Sequence, residues 1–157
     1  MSEPSSLDPV DVEQIRQLKY RYLRHLDLKQ WDDLATCFTE DATASYSGGK
    51  YEFSGRDMIM TFLVESLGPG FVTMHQCHHP EIQVHGDAAT GTWALQDTVL
   101  MTEHSLVLHG AAFYEDQYQR DGNGTWHIAH TGYERTFEYM ISLDDLPSFR
   151  LTANRWA

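Results

Sequence analysis

The chain has 157 residues, 41% of them hydrophobic, which suits one globular domain with a substantial core and leaves no room for a second. A formal net charge of −12 and a pI of about 5.0 give a surface that repels phosphate, so neither nucleic acid nor an anionic membrane is an expected partner. The two cysteines form no disulfide framework, the first ten residues lack the basic and apolar regions of a signal peptide, and no apolar run approaches a membrane span; a soluble, cytoplasmic protein is the expectation.

The first eight residues or so read as a polar, frayed start, and residues 144–157 as a tail to a single domain covering 1–157. "DPVDVEQIRQLKYRYLRHLD" predicts a helix, with Asp8 as N-cap and Pro9 in the first turn. Val12, Ile15, Leu18, Tyr22 and Leu26 recur at steps of three or four, so one stripe faces a core. Tyr22 lies in that stripe, where a buried hydroxyl needs a partner; it is either an ordinary core tyrosine or a site residue. Asp27 sits near the helix C-terminus, where the dipole disfavours a carboxylate, and reads as a cap of the next helix or as a functional group. A short second helix is predicted at "WDDLATCF", a hairpin at "TEDATASYSGGKYEFSG" turning at Gly48 and Gly49, and a third helix at "RDMIMTFLVESLG" closed by Gly68 and Pro69.

From Phe71 the pattern becomes strand-like. In "MHQCHHPEI" three histidines surround Cys77. Side chains two apart on a strand share a face. In step with Ile82 and Val84, His78 points inward, whereas His75, His79 and His85 are in step with Glu81 and Gln83 and point out. Pro80 confines the segment to a sheet edge or a strand start. After a turn at Gly86-Asp87, Asp97 runs in step with Trp93, Leu95, Val99 and Met101; a carboxylate among core residues is costly unless paired, hydrogen-bonded or neutralised. The alternate strand face, with Thr92, Ala94, Gln96, Tyr114 and Tyr118, offers a surface for self-association. A turn at "RDGNGT" leads to the last strand, where Arg135 shares parity with Tyr133 and Phe137 and is either an inward cation or a solvated charge at a strand end. The tail "SLDDLPSFRLTANRWA" has three open roles: a cap on a cavity, a contact with a neighbouring subunit, or disorder.

Helices followed by long antiparallel strands predict an α+β fold: a curved antiparallel sheet wrapped around three N-terminal helices, a cone-shaped barrel with an internal apolar cavity. One tyrosine, two carboxylates, one histidine and one arginine aimed at that space suit proton transfer beside a carbonyl. No metal site is expected, since there is no HExxH, no second ligand pair at zinc-like spacing, and parity splits the histidines between faces. Nucleophile elbow, phosphate loop and cofactor fingerprint are all absent from the sequence, so no cofactor is expected.

"YLRHLD", "HPEI", "WALQD", "GAAFYEDQY" and "TGYER", in this order and spacing, resemble the SnoaL-like branch of the nuclear-transport-factor-2-like superfamily, from about Ile15 to Tyr139. Within it the chain is most similar to the bacterial bile-acid 7-alpha-dehydratase family, and more distantly to scytalone dehydratase and ketosteroid isomerase. The resemblance implies a cofactor-free dehydratase acting on an apolar, ring-containing hydroxy-ketone or enone, steroid-like or polyketide-like, with Tyr22, Asp27, His78, Asp97 and Arg135 as its catalytic set. It implies that His78, oriented by Asp97, moves the proton and that Tyr22 binds a substrate oxygen, with Asp27 and Arg135 tuning charge. His79 departs from the family pattern, in which a small polar residue precedes the proline. Relatives of this type form trimers or dimers, so a homo-oligomer is implied. A ketosteroid-type isomerase, and a non-catalytic ligand-binding or dioxygenase small-subunit-like protein, are the alternatives.

Overall fold

The computed structural model describes residues 8–157; the frayed start expected before them lies almost wholly outside the described residues. The first helix, α1 (Pro9–Asp27), begins as its sequence predicts, with the Asp8 carboxylate accepting the Val10 N–H at 2.9 Å and proline in the first turn. Its stripe of Ile15, Leu18, Tyr22 and Leu26 is buried and lies on the concave face of a sheet. A short α2 (Trp31–Ala35) reverses the chain into β1 (Phe38–Tyr46). The turn to β2 (Tyr51–Ser54) places Ser47, Gly48 and Gly49 at positive φ, a run that two glycines make affordable. The third helix, α3 (Arg56–Ser66), then carries the chain across to β3 (Phe71–His85). Three long strands complete the sheet: β4 (Ala88–Met101), β5 (Leu106–Arg120) and β6 (Trp126–Ser142). No described helix is long and apolar enough to cross a membrane.

The strand order is β2-β1-β6-β5-β4-β3. Every pair is antiparallel except β1 with β6, which run parallel. The sheet is therefore mixed, which corrects the expectation of a purely antiparallel one. Hairpin signals fix only neighbours in sequence, and β1 docks beside a strand far along the chain, Phe38 opposite Ile128 and Thr43 opposite His130. Because α3 links one sheet edge to the other, it spans the open side of the curved sheet while α1 fills the concave face.

Tyr114 and Tyr118, expected on the outer face, are both 2% exposed and belong to the core. Tyr114 is the cross-strand partner of Trp93 and so points inward with it; Phe113, paired with Ala94, points out.

Candidate functional site

The end of α1 meets the middle of β3 at Asp27. One carboxylate oxygen accepts the Thr73 hydroxyl at 2.8 Å and His75 Nδ1 at 2.6 Å, and the other accepts the His75 backbone N–H at 2.8 Å. The carboxylate accepts, so the imidazole proton is assigned to Nδ1, and Nε2 is left with a free lone pair and no protein partner among the described residues. Both side chains are mostly buried, at 11% and 17% exposure. Asp27 thus does not cap α2; its carboxylate holds the imidazole of His75 through Nδ1.

Across the strand pair, His75 lies opposite Asp97. Asp97 is 3% exposed, and its charge is met by Arg135 in a two-pronged pair with N–O distances of 2.7 and 2.8 Å. Arg135 Nε also reaches Glu138 at 2.8 Å. The hydrogen bonds to Asp97 hold the Arg135 guanidinium well above its ordinary pKa. Gly110, the partner of Asp97 on β5, makes room for this pair: a methyl group there would overlap Arg135 Nη1 and come within 3.0 Å of Asp97 Oδ1. The inward reading of Asp97 and Arg135 is what the structure shows.

Between these two polar pairs lies a cavity of about 260 Å³. His75, Asp97 and Arg135 share its wall with the phenols of Tyr22, Tyr46, Tyr114 and Tyr133; Phe62, Leu63, Val99 and Met140 are among the apolar remainder. Burial pushes the Tyr22, Tyr46 and Tyr114 hydroxyls above their ordinary pKa, so each is a neutral hydrogen-bond donor at pH 7. The Tyr46 hydroxyl is buried with no partner in hydrogen-bonding geometry among the described residues, although the Tyr22 hydroxyl is close enough to influence its titration. An unsatisfied donor on the wall of a cavity is costly until something in the cavity accepts from it.

His78 does not join this set. It is exposed and stacked on His79, with ring centroids 6.3 Å apart. The pairing of β3 with β4 slips between His78 and Glu81, and His79 adopts a φ of +30°. This bulge inverts the alternation, so inward parity counted back from Ile82 and Val84 fails before it reaches His78. On the other side of the bulge Thr73, His75 and Cys77 face the helices. The interruption was signalled by Pro80; the missed residue is His75. Asp97 likewise holds an arginine, not the histidine that the sequence paired with it.

A second polar cluster lies deeper in the core. Lys19 Nζ, fully buried, meets Asp116 at 2.7 Å and sits 3.5 Å from the centre of the Tyr114 ring. Asp116 also accepts the hydroxyls of Tyr118 at 2.7 Å and Thr131 at 2.8 Å, and Tyr118 accepts Trp93 Nε1 at 2.9 Å. The parity of Asp116 with Tyr114 and Tyr118 was visible in the sequence; that of Tyr46 with Ala42 and Ala44 was as well. Lys19, four residues after Ile15 and three before Tyr22, lies within the α1 stripe, so the helix period itself places this lysine on the buried face.

Comparisons with known proteins agree with this fold. A family model described as SnoaL-like domain matches residues 10–132. An uncharacterised protein of Mycobacterium tuberculosis is 29% identical over 132 residues, covering 82% of this chain and 87% of its own. Among solved structures, a Novosphingobium aromaticivorans protein assigned as a scytalone dehydratase superposes with a TM-score of 0.78 at 21% identity, over 94% of this chain and 93% of that one. A hexachlorocyclohexane dehydrochlorinase from Novosphingobium barchaimii gives a TM-score of 0.76 at 18% identity, over 85% and 91%. At these identities the structural likeness establishes the cone-shaped α+β fold.

Proposed function

This chain belongs to the SnoaL-like domain family, and from that premise we propose that it is a cofactor-independent dehydratase, a carbon–oxygen lyase for a neutral ring compound that carries a hydroxyl β to a ketone or enone carbonyl. The observation that carries the reading is the imidazole of His75, tethered through Nδ1 to Asp27 with Nε2 free, on the wall of a cavity otherwise lined by phenols, apolar groups and one closed ion pair.

His75 Nε2 takes the proton from the carbon next to the carbonyl. The electron pair moves onto the carbonyl oxygen, which accepts from the Tyr46 and Tyr22 hydroxyls as it becomes an enolate oxygen. When the enolate collapses, the carbon–oxygen bond at the β position breaks, and the imidazolium returns its proton to the departing hydroxide. The products are the conjugated ketone and one water, and His75 is neutral again. Asp27 holds the imidazolium in place without taking its proton. The Asp97–Arg135 pair supplies a fixed dipole at the wall.

The size of the cavity narrows the substrate. About 260 Å³ falls below the ~300–1,000 Å³ usual for ligand sites, which favours one or two rings of the polyketide kind over a four-ring steroid. The lining cations Arg135 and, when protonated, His75 are each already matched by a carboxylate, so a neutral ligand is favoured over an anion there. Elimination is further supported by the names dehydratase and dehydrochlorinase among proteins of like fold. Incubation with a panel of one- and two-ring β-hydroxy-ketones, read by mass spectrometry, tests the reading. A product lighter by one water is expected; products of unchanged mass with a moved double bond would show an isomerase instead.

A further inference from the structure

A second opening lies behind the dyad, on the outer side of α1. The C-terminal tail returns across the end of this helix and, with α1 and the edge strand β3, encloses a groove of about 650 Å³. Asp27 and His75 form its floor, so the groove and the reaction cavity share His75 as a wall. Tyr20, Met74 and Trp156 give it flat and polarisable sides. Arg24 and Arg155 are its other charged groups, both exposed, and His78 and Cys77 also line it. Neither arginine has a carboxylate partner among the described residues, and Arg155 lies over the Trp156 ring at 5.6 Å. Lys29 approaches the same ring at 5.4 Å while donating to the carbonyls of Leu67 and Phe71.

This concentration of cations runs against the rest of the molecule. The chain has 23 acidic and 11 basic residues, yet the groove is lined by two guanidiniums and a single carboxylate. That carboxylate, Asp27, is already occupied by Thr73 and His75. Two guanidiniums against one carboxylate leave the lining with a net formal charge of +1 on a chain of net charge −12, set against an aromatic surface.

We propose that the groove is a binding site for a flat anionic small molecule, an aromatic carboxylate, sulfonate or phosphate ester. Its ring lies against Trp156, Met74 and Tyr20, and its anionic group bridges Arg24 and Arg155. The site is distinct from the cavity, where the lining cations are matched by carboxylates, and binding there does not depend on the elimination proposed above. It also gives a place to His78, which stands at the groove wall.

The test is a fluorescence titration of the intact protein with anilinonaphthalene sulfonate and, separately, with uncharged phenylnaphthylamine. Loss of both guanidiniums in Arg24→Gln/Arg155→Gln is expected to weaken sulfonate binding about tenfold, and added salt to weaken it in the parent protein. Binding of the neutral probe should not change, and circular dichroism of the double variant should match the parent because both side chains are exposed. Sulfonate binding that is absent in the parent protein or equal in the double variant would overturn the assignment.

Discussion

Three donors end on the Asp27 carboxylate: a backbone N–H, a threonine hydroxyl and an imidazole. That explains why a carboxylate stands at a helix C-terminus, where the dipole opposes it. Tyr22, Asp27, Asp97 and Arg135 were legible because each breaks a local rule: a hydroxyl in an apolar stripe, an acid at the wrong helix end, charges in step with core residues. Their partners were not legible, because parity reports a face and not a distance. Gly110 is the least conspicuous member of the site. Gly110→Ala drives the Arg135 guanidinium off Asp97 and leaves a buried carboxylate unmatched, at a cost of about 3 kcal/mol or more. Urea unfolding of the variant measures this directly; a loss below about 1 kcal/mol, the value of an exposed ion pair, would mean that the pair is not what the glycine protects.

At the scale of the element, β3 decides which histidine faces the cavity. Its first half turns Thr73, His75 and Cys77 toward the helices, its second half turns Ile82 and Val84 the same way, and the two halves agree only because of the bulge between His78 and Glu81. The sequence marked the break with Pro80 but not its phase, and one residue of phase exchanges His75 for His78. His79, at a φ of +30°, carries the strain of the bulge. Valine is the better strand former, yet His79→Val is expected to destabilise the protein by about 1–3 kcal/mol, because a β-branched side chain resists positive φ. A variant as stable as the parent would show that the bulge is not required. The parallel contact of β1 with β6 was hidden for a different reason: it joins segments far apart in the chain, and periodicity within a strand says nothing about which strand lies beside it.

At the scale of the whole molecule, the cone holds a large number of neutral acids out of water. Burial raises the Cys37 thiol from 9.0 to about 11 and the Cys77 thiol from 9.0 to about 12, and it raises the Tyr22, Tyr114 and Tyr118 phenols as well. The unfolded chain loses these protons at lower pH than the folded one, so their contribution is fully present below about pH 9 and is lost as pH rises toward 11–12. The urea midpoint should therefore fall between pH 9 and 11, whereas a flat profile would place these groups in solvent. The α+β class, the three helices and most strand limits could be read from the sequence because each has its own period and punctuation. The Lys19–Asp116 pair was legible only in part: the helix period puts Lys19 in the α1 stripe, but nothing local names the β5 carboxylate that folds over it. The account as a whole rests on a cone that delivers the histidine of one half-strand, and not that of the other, to the cavity. Its most direct test is the rate of water loss from a hydroxy-ketone that the parent protein turns over, compared between His75→Ala and His78→Ala. The first is expected to lose a factor of ~10²–10⁴ and the second to keep the parent rate; an active His75→Ala protein, or loss of the reaction on replacing His78 alone, would contradict it.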